Sequence, residues 1–282
     1  MRNELAALWQ RRELLWILVR RDLKVRYKNS RLGFLWSVAP PLMQVVVITF
    51  VFTRATNLAK DFPSYSAFLI VAMIPWTYFS SAILDSSQSI LLMYGVIKKT
   101  NIPREIIPLA NAISNFIHFL LSWGVFFVYW WGFRQERFLP TAGVFPILIL
   151  IQFMLVTGLS LFVSCLNVFY EDVKYIVTIF MGLGLFAFPI LMLVEQIKFT
   201  GSIGKWWHEP AVMLYLYNPM SVLITGYRKA LLEAPGPNVL NGNPYPPLDY
   251  NALVLAAIVS LGVLVAGYAY FNARKWQFVE RP

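Results

Sequence analysis

The histidines, carboxylates and single cysteine are the residues able to do covalent or metal chemistry, and their spacing gathers none of them. His118 lies inside an apolar run, whereas His208 lies in a polar segment beyond the apolar boundary. The two therefore cannot share a metal ion. Cys165 is the lone cysteine and sits in another apolar run, so no intrachain disulfide forms. Glu171 and Asp172 are the one adjacent acidic pair. A membrane glycosyltransferase or lipid-modifying enzyme needs clustered carboxylates at a membrane face, and this pair alone offers any. No GxxxxGK[ST] phosphate loop occurs, so the chain is not expected to bind ATP in the usual way. The reading is a chain with no catalytic residue, no metal ligand set and no cofactor of its own.

Polar residues within the apolar runs are patterned rather than scattered. Asn111, Ser114, Asn115, His118 and Ser122 fall on one helical face. Thr157, Ser160, Ser164 and Asn167 repeat the spacing, as do Tyr78, Ser81, Asp85 and Gln88. Hydrocarbon penalises such groups, so these faces turn into the bundle, towards a partner helix or onto a wet path. Hydrogen-bonded packing and a substrate path are both consistent with them; His118 reads as a neutral packing residue. Trp76, Tyr78 and Phe79 follow Pro75 in "IPWTYFSS". They suit either an interfacial aromatic belt or a platform on which sugar rings stack. Buried carboxylates, which proton- or sodium-coupled carriers need, are almost missing from the runs. Active transport would therefore draw its energy from another subunit.

Those stripes require membrane-spanning helices to carry them. The chain is 58% apolar and 13% charged, against about 45–50% and about 25% in soluble domains. There is too little polar surface to coat a soluble globule of 282 residues. The spacing predicts six spans, at 33–53, 65–84, 106–131, 143–167, 173–194 and 251–271, each near the roughly 20 residues a bilayer core needs. An even count puts both termini on one side. The segments on that side hold about two thirds of the 24 lysines and arginines, which predicts cytoplasmic termini. The net charge of +10 is read as this bias and not as affinity for nucleic acid. Charge continuing to Arg31 argues against a cleavable leader.

Residues 1–31 read as an amphipathic interface helix. Leu5, Leu8, Trp9, Leu15, Trp16, Val19, Leu23 and Tyr27 share a face, although Leu14, Ile17 and Leu18 break the pattern. The amphipathic, basic stretch "LLMYGVIKKTNIPREIIP" suits either a short helix pressed on a soluble partner or an ordinary positive-inside loop. The segment 195–250 is the longest loop and is placed outside. It carries Trp206, Trp207, Tyr215 and Tyr217, then a helical stretch too short to span, then a Pro-rich insert from Pro235 to Asp249.

The ordered set "LLWILVRRDLKVRYKNSRLGFLWSVAPPLM", "IPWTYFSSAI", "LMYGVIKKTNIPREIIPLANAISNFIHFLLS", "LNVFYEDVKYI" and "YNPM" resembles permeases of the type-2 ABC exporters. It is most similar to the branch that exports lipid-linked O-antigen, capsule or teichoic acid. The resemblance covers nearly the whole chain. It implies a single all-α membrane domain over 1–282, with spans one to five in 33–194, an external gate region in 195–250, span six at 251–271 and a cytoplasmic tail at 272–282. It further implies a homodimer in the bacterial cytoplasmic membrane, working with two separate ATPase subunits that bind the ATP and Mg. On this resemblance Arg20, Arg21, Lys24, Arg26, Lys28 and Arg31 attract the lipid carrier's pyrophosphate. Tyr94, Lys98, Lys99, Asn101 and Pro103, with Glu171 and Asp172, couple to the ATPase. Trp76, Tyr78, Phe79, Ser81, Asn111, Asn115 and Ser122 line the path. The alternative within transport is export of a small hydrophobic drug or lipid. The Pro-rich insert looks longer than the family's usual loop, which bears on the external gate.

Overall fold

The computed structural model describes residues 11–26, 35–55, 62, 64–99, 102–134, 139–195, 215–236 and 244–279. Among them every regular element is helical. In chain order these are α1 (Arg12–Arg26), α2 (Leu35–Ala55), α3 (Tyr65–Leu92), α4 (Tyr94–Lys99), α5 (Ile106–Tyr129), α6 (Phe145–Phe169), α7 (Val173–Ala187), α8 (Pro219–Leu231) and α9 (Tyr250–Arg274). Among the described residues four helical stretches are long and apolar enough to cross a membrane: Tyr65–Leu92, Ile106–Gly132, Pro140–Phe169 and Tyr250–Phe278. The expected first and fifth spans correspond to shorter apolar helices, Ala39–Arg54 within α2 and Val173–Ala187. At 1.5 Å per residue α7 is only about 22 Å long, against a bilayer core of about 30 Å.

Helix ends follow local chemistry. The Ser64 hydroxyl accepts the Ala67 amide to start α3, and the Asp249 carboxylate accepts the Ala252 amide to start α9. Asn218 caps α8 through the Met220 amide, with Pro219 at the first helical position. The fifth apolar run was expected to stay helical to 194, but α7 stops at Ala187. Pro189 disfavours helical backbone at the residue before it, and Phe188 is extended (φ −114°, ψ 158°). In contrast α3 runs on to Leu92 instead of ending at 84.

The helix α3 sits at the centre, touching α2, α5, α6, α7 and α8. Against α6 the closest neighbour is α9. A Cβ on Gly158 would lie 2.6 Å from Leu264 backbone, and one on Gly267 would lie 2.2 Å from the Gly158 carbonyl. Only glycines permit this approach, the usual device for close helix packing in lipid. At one end of the bundle a cluster joins Leu18 and Val19 of α1 to Ile97 of α4, Ile106 and Phe278. There Lys275 pairs with the buried Glu105 at 3.2 Å, and Arg104 donates to the Lys275 carbonyl. Burial lowers the Arg104 pKa, and the adjacent Glu105 opposes that shift.

In α1, Leu18 and Val19 are buried while Trp16 and Ile17 are exposed. The buried side of α1 thus combines Leu14 and Leu18, which broke the expected face, with Leu15, Val19 and Leu23 from it, while Trp16 and Ile17 turn outward. Helices α7 and α9 also present large apolar residues outward, among them Ile176, Phe180, Phe186 and Ile258. Such faces belong against hydrocarbon or another subunit.

Candidate functional site

A cavity of about 770 Å³ lies between α2, α3 and α5. Its walls are mostly apolar, with Val46 and Phe50 from α2, Met73 and Ile74 from α3, and Phe119 and Val125 from α5. A polar strip crosses it: Tyr78 and Ser81 from α3, and Asn115, His118 and Ser122 from α5. Arg26 stands at one end and Arg54 at the other. The helical spacing of the stripes puts them here, because residues three and four apart share a face.

At the Arg26 end a polar network joins α1, α3 and α5. Arg26 donates to the Asp85 carboxylate at 2.5 Å and to the Asn115 side-chain oxygen at 3.1 Å. The Asn115 amide donates to the same Asp85 oxygen at 2.9 Å and to the Asn111 carbonyl at 3.0 Å. Asn111 lies outside the cavity lining and reaches the Asp85 carbonyl at 3.5 Å. Asp85 and Arg26 are 59 residues apart.

The aromatic trio divides. Tyr78 lines the cavity at 3% exposure, with its hydroxyl buried and without a hydrogen-bond partner among the described residues. One side of its ring stacks on Phe119 at 4.7 Å, so that side is closed to a sugar. Trp76 and Phe79 lie outside the lining: both pack on Phe188, and the Trp76 ring covers Gly184 of α7 so closely that a Cβ there would sit 2.1 Å away. Ser122 donates back to the His118 carbonyl at 2.8 Å, the usual way a hydroxyl is satisfied in a lipid-embedded helix.

Among the basic residues of α1, Arg21 is engaged by Asp22 at 2.7 Å and by Met93 sulfur at 2.9 Å. Arg20 and Lys24 are exposed. Lys28 and Arg31 lie outside the described residues, as does Asn101. The short helix α4 buries Ile97 and exposes Lys98 and Lys99, with Lys98 over the Tyr94 ring at 4.6 Å. Pro103 precedes α5. Glu171 and Asp172 are exposed in the α6–α7 turn, with Glu171 3.9 Å from Lys174. Tyr94, Lys98, Lys99 and this turn occupy the same end of the bundle as Arg26.

At the opposite end, residues that the patterning arguments passed over hold the bundle. Arg228 of α8 is buried and donates to the carbonyls of Phe68, Pro189, Met192 and Ile190, at 2.5–3.3 Å, with its guanidinium 3.4 Å from the Phe68 ring centre. Three of these carbonyls, those of Pro189, Ile190 and Met192, lie just beyond the end of α7. The neighbouring Lys229–Glu195 pair is also buried, at 2.6 Å. In the loop nearby, burial raises the Tyr245 pKa, Glu195 adds to the rise and Arg228 opposes it. Gln152 of α6 donates to the Pro75 carbonyl at 2.7 Å and accepts the Tyr227 hydroxyl at 2.9 Å, joining α3, α6 and α8. A lone glutamine and a lone arginine give no periodic signal. The remaining polar stripe, Thr157, Ser160, Ser164 and Asn167, is buried between helices, not in the cavity. Trp206 and Trp207 lie outside the described residues.

The sequence profile of the family described as ABC-2 type transporter matches residues 13–232. An O-antigen export system permease protein RfbA of Klebsiella pneumoniae is 30% identical over 268 residues, covering 95% of this chain and 94% of that protein. The protein of the same description from Myxococcus xanthus is 30% identical over 275 residues, covering 97% and 96%.

Proposed function

This chain belongs to the ABC-2 type transporter family, and on that premise we propose that it is the permease of an ATP-driven exporter of a lipid-linked polysaccharide across the bacterial cytoplasmic membrane. The observation that carries the reading is the similarity, over nearly the whole of both chains, to permeases named for O-antigen export. Two copies of this chain form the pathway, each with six spans and cytoplasmic termini. Helices α2 and α7 complete the six; α7 is short, and a local thinning of the bilayer or the neighbouring segment makes up the difference. Two separate ATPase subunits bind ATP and Mg.

In this account the Arg26 end is cytoplasmic and the Arg54 end external. Exposed Arg20 and Lys24 draw the anionic carrier lipid to the entrance. Closure of the ATPases pushes on α4, through Tyr94, Lys98 and Lys99, and on the Glu171–Asp172 turn. Both rest on the cluster that anchors α1, α5 and the end of α9, so a push there moves several helices together. The substrate passes the strip of Tyr78, Ser81, Asn115 and Ser122 on its way across.

Disruption of the gene in its own host tests the reading. Long-chain surface polysaccharide is expected to disappear and its lipid-linked form to accumulate inside. Complementation with the intact gene restores export. A disruptant with undiminished surface polysaccharide and no internal intermediate would overturn the assignment.

A further inference from the structure

We propose that the cavity between α2, α3 and α5 is a site for the phosphate-bearing hydrocarbon anchor of the substrate, with Arg26 exchanging Asp85 for the lipid phosphate. This rests on the reading of the substrate as lipid-linked and assigns the cavity to its lipid end rather than its sugar end. Three observations point the same way. The walls are mostly apolar, and Leu42, Val46 and Phe50 of α2 are also exposed, so an apolar chain can lie along that helix. The run from Pro41 to Arg54 is about 20 Å of helix, long enough to hold an extended chain segment. The volume falls in the roughly 300–1,000 Å³ range of small-molecule sites, too small for a folded glycan but ample for part of a lipid.

Among the described residues, charged side chains line the cavity only at its two rims, at Arg26 and Arg54. Between them lie the polar side chains of Tyr78, Ser81, Asn115, His118 and Ser122. Cations at both ends with a polar strip between them suit a headgroup moving along it. A purely apolar drug would use neither.

The Arg26–Asp85 pair is suited to exchange. The two side chains are 34% and 40% exposed, and an ion pair that open to solvent contributes little. A phosphate offers the guanidinium a charge-assisted, bidentate partner. Asn115 donates to Asp85 as well, so the carboxylate keeps a partner when Arg26 leaves it. Asp85 is then a competitor for the lipid, and removing it should tighten binding.

The experiment titrates the full-length purified permease with a long-chain polyprenyl phosphate, the corresponding polyprenol and phosphatidylglycerol, following the change in tryptophan fluorescence. Asp85→Asn is expected to bind the polyprenyl phosphate several-fold to about tenfold more tightly. Arg26→Gln is expected to bind it about tenfold more weakly and to abolish the gain from Asp85→Asn in the double variant. Polyprenol affinity should not respond to either change. Val46→Trp, which fills the apolar wall, should weaken both prenyl lipids. An Asp85→Asn protein that elutes as the parent does but binds no tighter would overturn the proposal. So would phosphatidylglycerol binding equally well with the same response to the variants, since the site would then serve bilayer lipid. Either failure leaves the gene-disruption result untouched, so the loss of this site and the loss of the export reading are separable.

Discussion

Replacing Arg228 by methionine should release the α8 end of the bundle. The guanidinium is the common donor for the carbonyls of Phe68, Pro189, Ile190 and Met192, and three of these belong to the unwound segment after α7. Methionine keeps much of the volume but leaves those acceptors without that donor. A buried acceptor stripped of its partner costs about 1–3 kcal/mol. Burying the charge was itself costly, and its removal returns part of the loss. The net is on the order of 3 kcal/mol, at the low end of what is measured when one side of a buried ionic contact is removed. For a chain of this size that corresponds to a fall in midpoint of roughly 5–10 °C. The assay is heating followed by size-exclusion chromatography, paired with thiol labelling of Ile190→Cys in a Cys165→Ala background. Ile190 is fully buried, so its cysteine should label slowly with Arg228 present and quickly without it. Arg228→Lys should fall between, because an ammonium cannot fork across carbonyls facing different ways. Unchanged melting together with unchanged labelling in Arg228→Met would refute the reasoning.

Gly158→Leu should separate α6 from α9 and cost at least the roughly 1–3 kcal/mol of an overpacked core, read as a lower melting midpoint of the purified permease; an unchanged midpoint would mean the helices do not pack this closely. Lys98→Glu with Lys99→Glu should leave the protein inserted but break co-purification with the ATPase, since like charges at such an interface cost several kcal/mol. Normal co-purification and normal export would remove α4 as the coupling element. A cysteine at Glu233, which is exposed beyond α8, should react with an impermeant reagent added outside, and one at Lys99 should not; the reverse pattern would invert the topology.

Much of this architecture is legible from the residues because hydrocarbon imposes strict rules. Apolar runs marked α3, α5, α6 and α9 within a few residues at most ends, and the three-and-four spacing of Tyr78, Ser81, Asn115 and Ser122 identified a face that does border one cavity. What escaped are the partnerships between distant segments. Asp85 read as a polar edge residue, and nothing in its neighbourhood says that Arg26 lies 2.5 Å away. Trp76 and Phe79 share the aromatic cluster with Tyr78, but at a helical 100° per residue they point elsewhere, and Gly184 supplies the socket that decides it. Hydropathy carried the fifth run through to 194, although Pro189 broke the helix and created the carbonyls that Arg228 collects.

The most direct measurement is transport itself. The permease is reconstituted in proteoliposomes with a candidate ABC ATPase subunit from its host and loaded with lipid-linked polysaccharide, and the glycan reaching the opposite leaflet is counted with and without ATP. Translocation should depend on ATP and need both subunits, and this chain alone, which lacks a phosphate loop, should show only background hydrolysis. Robust ATP turnover by the permease free of its partner would contradict it. So would a complex that hydrolyses ATP and moves small apolar compounds while leaving the lipid-linked glycan where it was loaded.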